Sequence, residues 1–445
     1  MAHMLSYAVT KMSADLSTTS ERANLPWRTF GPILAVHLFG TLGFSLAIPF
    51  LVFIVNDLGG ATWTYGLLGA TYSAFQLVGA PVLGRWSDHT GRRPVLVASQ
   101  AGTLAAWMLF LVALSLPVQG IVQVAGATLT LPLLLVFAAR ALDGATGGNI
   151  SVANAYVADL TRNTPQLRHV AFGRMGMAAS VGFVIGPAAA GLLGGTSWGP
   201  RLPIAIAAMM ALLTTLAIVV WLREPGGRCP EGPEEPTALE AGLNQQTKPC
   251  DRSPPPPISL AMLRRGPVAS VLVATFAVFL GFNVFYAGFP VHAMESYGWD
   301  TGQLGIFFAL LSGMMIVAQG PLLTFLSRHL GRRIVFGAGM ACLMLSLLSL
   351  VLPAGYLTYV GAALFALGNG LSWPTFQARV AEVAGDAQGA IQGAATSASS
   401  LASISGLVAG GVLYPVLQSG LFYVAAALFG FVLLLTPVWF PHARQ

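Results

Sequence analysis

Charge is what this sequence has least of. Only 9% of its 445 residues are Asp, Glu, Lys or Arg, where a soluble domain carries roughly 25%. An ordinary water-soluble globule is excluded. The pI near 9.5 does not point to nucleic acid, because the basic residues are scattered through short segments rather than gathered in a patch. Cysteine is scarce too: Cys229, Cys250 and Cys342 make neither a disulfide framework nor a metal-ligand spacing, so no metal or cofactor is expected. There is no Gly-x-x-x-x-Gly-Lys-Ser/Thr loop, which argues against an ATP-driven pump. No nucleophile–base arrangement stands out, so an enzyme is not expected. The first 28 residues are polar, so no cleaved signal peptide is expected.

What the chain does have is apolar length. Hydrophobic residues make up 55% and the mean hydropathy is +0.72. Apolar runs long enough to span a bilayer fall near 29–54, 64–84, 94–116, 131–157, 170–193 and 203–222, then near 266–291, 302–326, 333–353, 357–381, 388–412 and 418–440. The expected architecture is an all-α membrane protein. Twelve transmembrane helices would form two pseudo-symmetric six-helix bundles, 29–222 and 266–440, after an N-terminal segment 1–28. A linker, 223–265, joins the bundles; its glutamates and the run Pro254 to Pro257 read as a solvated spacer. With the N-terminus inside, 20 of the 22 Lys and Arg residues fall on the cytoplasmic side, which places both termini in the cytoplasm. Only Arg201 lies outside, and Arg140 lies within a span.

The halves echo each other. Gly91-Arg92-Arg93 recurs 240 residues on as Gly331-Arg332-Arg333, with Pro81 matching Pro321 and His89 matching His329. Ala158-Asp159-Leu160 recurs as Ala381-Glu382-Val383. Two repeated halves are a common construction of secondary transporters, with the cargo site between them near midplane. Asp159 is a partner for Arg92 or Arg93, and Glu382 for Arg332 or Arg333. Arg140 and Asp143, three apart on one helix face, are the charged residues well inside a span. A charge in the bilayer core marks a pathway or a pair. Asp143 is therefore the leading protonation candidate with Arg140 its counter-ion, and a permanent structural ion pair is the alternative. His37 reads either as a second proton carrier or as a hydrogen-bonded packing residue.

These motifs resemble the major facilitator superfamily, in particular its drug:proton antiporter branch, which includes the tetracycline exporters. Gly84-x-x-x-Asp88-x-x-Gly91-Arg92-Arg93 matches the superfamily's loop signature between spans two and three, apart from His89, where Arg is usual. Arg140-Ala-Leu-Asp143-Gly144 resembles the span-four signature. Gly182-x-x-x-Gly186-Pro187-x-x-x-Gly191 resembles the antiporter signature of span five. The resemblance implies that Asp88 latches the cytoplasmic face onto span eleven in an outward-open state, and that the glycine face of span five seals against span eight. It also implies a cavity lined by spans one, four, seven and ten. Candidates there are Asn149, Asn154, Asn283, Tyr286, Asn369, Trp373, Phe376 and Gln377, with Gln76 and Gln319 from flanking spans. Two departures stand out. Arg328 occupies the second-half place of Asp88, and Gly40 stands where tetracycline exporters carry an Asp in span one.

The reading is a monomeric, proton-coupled antiporter in a bacterial inner membrane, exporting small amphipathic organic compounds by alternating access. Its expected partners are a small-molecule substrate, protons and the lipid bilayer, with no nucleic acid. Export of a self-made metabolite such as a siderophore or sugar, or proton symport, is the alternative on the same fold.

Overall fold

A computed structural model describes residues 27–147, 149–161, 165–194, 196, 198–224, 266–352, 355–384 and 388–440. Among the described residues there are twelve long helical segments. In the first half they are α1 (Trp27–Asp57), α2 (Thr62–Thr90), α3 (Arg92–Ala113), α4 (Leu131–Leu160), α5 (Pro165–Gly194) and α6 (Arg201–Trp221). In the second they are α7 (Gly266–Tyr297), α8 (Thr301–His329), α9 (Arg332–Val351), α10 (Gly355–Ala384), α11 (Gln388–Leu417) and α12 (Gly420–Trp439). Nine of the described helices are long and apolar enough to cross a membrane. Helices suit such uncharged sequence because they satisfy their own backbone groups without water. The N-terminal segment and most of the linker, including Pro254 to Pro257, lie outside the described residues.

Several helices outrun the apolar stretches that identify them. The charged stretch from Gly84 to Pro94 is almost wholly helical: α2 runs on to Thr90, α3 begins at Arg92, and Gly91 alone breaks them. Gly91 can do so because its φ is +107°, a conformation side chains disfavour. Its second-half counterpart needs no glycine, since Gly331 has φ −64°. α4 starts at a built cap, with Thr130 Oγ1 accepting from the Leu133 amide at 3.3 Å, and a turn at Gly147 interrupts it. α8 starts at a capping box between Asp300 and Gln303. Pro81 is carried inside regular α2, whereas Pro321 sits in a π-helical turn, Ala318–Leu322. A proline lacks the amide its helix needs, and a wider turn is one way to absorb that loss.

Packing repeats from half to half. In the first, α1 packs on α5 and α6, α3 on α4 and α6, and α2 on α4; in the second, α7 packs on α11 and α12, α9 on α10 and α12, and α8 on α10. The pattern is the same with six added to each number. The halves meet chiefly through α2 on α11 and α5 on α8. The second half is cored by aromatic rings, with Phe285 stacked on Phe365 at 4.1 Å and Phe289 on Phe307 at 4.3 Å.

The connection from α3 to α4 is a two-stranded hairpin, β1 (Gly120–Val124) and β2 (Ala127–Thr130). Its turn residues Ala125 and Gly126 both have positive φ, 46° and 80°, the geometry that matches strand twist in two-residue hairpins. Three hydrogen bonds tie it to the α1–α2 connection and the first turn of α2. Thr128 N donates to Gly59 O at 2.8 Å, Thr130 Oγ1 to Leu58 O at 2.9 Å, and Trp63 Nε1 to Ala125 O at 3.0 Å. One end of the molecule thus carries the hairpin and the other the α2–α3 turn.

Candidate functional site

The most deeply buried charge is in α4. Arg140 is 1% and Asp143 6% exposed, and Arg140 Nη1 donates to Asp143 Oδ2 at 3.1 Å. The guanidinium also lies under the Tyr72 ring, 4.6 Å from its centroid, and the Tyr72 hydroxyl accepts from Gln76 Nε2 at 3.1 Å. Small residues make this possible. A Cβ on Gly144 would stand 3.0 Å from Phe75 Cβ, so α2 and α4 approach too closely for anything larger there. Asp143 borders a cavity of about 30 Å³, shared with Tyr72, Gln100, Thr103 and Trp107, which has room for a water or two. That cavity is enclosed by α1, α2, α3, α4 and α6, with no lining residue from the second half. The carboxylate therefore faces the interior of one bundle rather than the space between bundles. Sequence alone does not single out Tyr72, Gln100, Thr103 and Trp107, because nothing local in α2 or α3 signals what α4 brings beside them.

His37 is also buried, and both ring nitrogens are engaged. Nδ1 is 3.2 Å from Ile33 O and Nε2 is 3.2 Å from Asn154 Oδ1. This is the geometry of a hydrogen-bonded packing residue joining α1 to α4.

At the α2–α3 turn one arginine gathers two acids. Arg92 Nη1 lies 2.5 Å from Asp88 Oδ1 and Arg92 Nε 2.8 Å from Asp159 Oδ2. Arg93 instead donates to Val219 O, near the end of α6, at 2.7 Å. Glu224, just past α6, accepts from the Arg92 amide at 2.6 Å and the Arg93 amide at 3.0 Å. A carboxylate on two free amides is a favoured arrangement at a helix N-terminus, worth about 0.3–1 kcal/mol at exposed positions. Glu224→Ala is expected to lower the thermal unfolding midpoint of the purified protein slightly, and Glu224→Gln, which keeps one acceptor, to restore part of it. In the second half Arg332 pairs with Glu382, which Arg379 also reaches at 3.2 Å. Asp88 is exposed and its described ion pair is with Arg92. Gly84 has no described atom within 4 Å of where a Cβ would stand, so among the described residues no helix uses the close approach it would permit.

The two halves touch at the hairpin end. Tyr65 donates its hydroxyl to Tyr286 O at 2.9 Å, Thr62 Oγ1 to Glu295 Oε1 at 3.1 Å, and Gly66 lies against Gly411. Toward the other end Gly84, Gly176, Gly320 and Gly393, on the same four joining helices, face open space. Gly182 and Gly186 do not face α8 as the resemblance implies. They back onto α1: a Cβ on Gly182 would be 3.0 Å from Leu42 N, one on Gly186 3.1 Å from Leu46 N, and Ser45 Oγ donates to Gly182 O at 3.1 Å.

The remaining candidates divide. Asn283 Nδ2 donates to Phe279 O at 2.8 Å and Ser403 Oγ at 3.0 Å, and Trp373 stands edge-on to Phe279 at 5.3 Å. Asn369 is buried against the Met315 sulfur, and Phe376 stacks on Phe336 in the second-half core. Tyr286 is buried among aromatic rings. Gln319 is half-buried in the π turn and Gln377 is exposed. The side chains of Asn149, Pro187 and Gly191 lie outside the described residues.

Two matching six-helix halves that meet at the hairpin end, with a buried ion pair inside the first, define a membrane transporter rather than an enzyme. The Major Facilitator Superfamily profile matches residues 33–407 and 271–445, and the chain belongs to that family. It is 29% identical over 358 residues to the class D tetracycline resistance protein of Salmonella ordonez, covering 80% of this chain and 81% of that one. It is 26% identical over 411 residues to multidrug resistance protein 1 of Bacillus subtilis (strain 168), covering 92% and 95%. The fold matches the human organic anion transporter MFSD10 (TETRAN), with a TM-score of 0.61 at 21% identity over 93% of this chain and all of that one. It also matches a D-xylose-proton symporter, with a TM-score of 0.68 at 17% identity over 93% and 97%.

Proposed function

We propose that this protein is a proton-coupled antiporter that exports small amphipathic organic compounds by alternating access. The observation that carries the reading is the Arg140–Asp143 pair, buried in α4 beside a water-sized cavity. A carboxylate there can be neutral when it takes a proton and ionised when it pairs with the guanidinium, so it exchanges one proton for one internal ion pair. Relatives named for tetracycline and multidrug resistance favour export of drug-like compounds. Gly40, in the span-one place where an Asp would stand, favours cargo other than tetracycline. Placing the α2–α3 turn in the cytoplasm, as the distribution of Lys and Arg favours, makes this an inward-open state. The network around Arg92 then lies at the gate that closes when the halves rock, and Asp88 is free to change partners there. Asn154, Asn283, Trp373 and Gln377 are the cargo contacts this reading favours.

The test uses vesicles containing the purified protein and a fluorescent amphipathic cation such as ethidium. An imposed pH gradient should drive ethidium against its own gradient, and ethidium should in turn move protons the opposite way. Transport that ignores the pH gradient would overturn the reading, and proton movement in the same direction as cargo would establish the symport alternative.

A further inference from the structure

The α3–α4 hairpin has a surface that water does not explain. All five residues of β1 are exposed, and Ile121 and Val122 are 61% and 50% exposed, with Val118 and Val124 similar. β2 faces inward instead, with Ala127 and Thr130 buried, and its bonds to Leu58 and Gly59 hold the hairpin down. The apolar edge is therefore displayed by a strand that is fixed in place. No charged residue occurs anywhere between Arg93 and Arg140. The exposed apolar strip is also continuous with the lipid-facing sides of the flanking helices, through Val112 near the end of α3 and Leu131 at the start of α4, 50% and 52% exposed.

We propose that this hairpin is a membrane-interface anchor, seated with β1 in the headgroup layer of the leaflet at its end of the bundle. Its depth is bounded from both sides. β1 is an edge strand, and its unpaired backbone groups cannot enter hydrocarbon without cost. Its aliphatic side chains gain by leaving water, at roughly 25 cal/mol per Å². The headgroup layer satisfies both demands. Trp63, bonded to the hairpin turn, and the exposed Trp198 at the same end belong to the residue type that concentrates at that level. A second protein copy fits less well, since the strip merges into helix surface that lipid already covers.

The test places nitroxides at Ile121→Cys and Val122→Cys, two exposed positions of β1, in full-length protein with Cys229, Cys250 and Cys342 replaced by serine. The protein is reconstituted in vesicles of phosphatidylcholine and phosphatidylglycerol. Collision with oxygen should exceed collision with a water-soluble nickel chelate several-fold, relative to a soluble nitroxide in the same sample, at a depth near the phosphates. Either label behaving so supports the anchor. Nickel access at both positions equal to that of the soluble nitroxide overturns it, as does dipolar broadening between copies at both.

Discussion

Replacing Asp143 by asparagine is expected to abolish proton-driven export while leaving the protein folded. The loss should be on the order of 10²-fold or more, the range over which a positioned proton-transfer group contributes. The reasoning turns on what asparagine imitates. If Asp143 spends part of each cycle protonated, the bundle already tolerates a neutral group beside Arg140, and the variant is held near that state. Tyr72 is the device that makes this tolerable, since an aromatic face over a desolvated cation contributes up to about 2 kcal/mol. A permanent ion pair predicts something different: an uncompensated buried arginine, costing about 3–5 kcal/mol, and a chain that fails to accumulate. Expression level and thermal unfolding of Asp143→Asn separate the two, and gradient-driven export then tests coupling directly. Tyr72→Phe should be mild and Tyr72→Leu severe, because the ring rather than the hydroxyl faces the guanidinium.

Gly66→Ala should break the seal at the hairpin end. A Cβ there would stand 2.8 Å from Gly411 Cα and 3.0 Å from Gly411 N. These are backbone atoms of α11, which cannot swing aside. The helices must separate, at a cost of about 1–3 kcal/mol for overpacking, and the state that incurs it is this structure's, inward-open in the proposed topology. A bias of 1.4 kcal/mol is about tenfold in the ratio of states. A cysteine at Tyr286 in a background free of other cysteines should thus react about tenfold faster with an external thiol reagent, and export should fall. Gly69→Ala is the control, because its neighbour is the flexible end of Leu407 at 3.2 Å. Equal effects from the two substitutions would rule out a backbone seal at Gly66.

Much of this was legible in the sequence, for a physical reason. Membrane helices must be long, apolar and complete within themselves, so composition alone delineates most of the spans. The pairing of Arg92 with Asp159 and of Arg332 with Glu382 was legible too, because few charges exist and each needs a partner. Contacts between distant helices were not. Tyr72 meets Arg140 only because small residues let α2 and α4 close up, which no local pattern announces. Gly182 and Gly186 advertise a face that admits a close neighbour, but α1 and α8 both border α5 and the motif does not choose. The hairpin was hidden by its short strands, although Ala125-Gly126 between two runs holding β-branched residues carries its turn signal.

The π turn in α8 bears on how the two halves diverged. From Pro321 to Gly331 the chain keeps step with Pro81 to Gly91, with no insertion or deletion. The wide turn takes up about one extra residue, so the residues after Leu322 lag by about 100° behind the bearing an unbroken helix would give them. Regular α2 has no such break around Pro81. The bearing of Arg328 and His329 is thus set by that turn, and the second half differs from the first in backbone as well as in its missing acid.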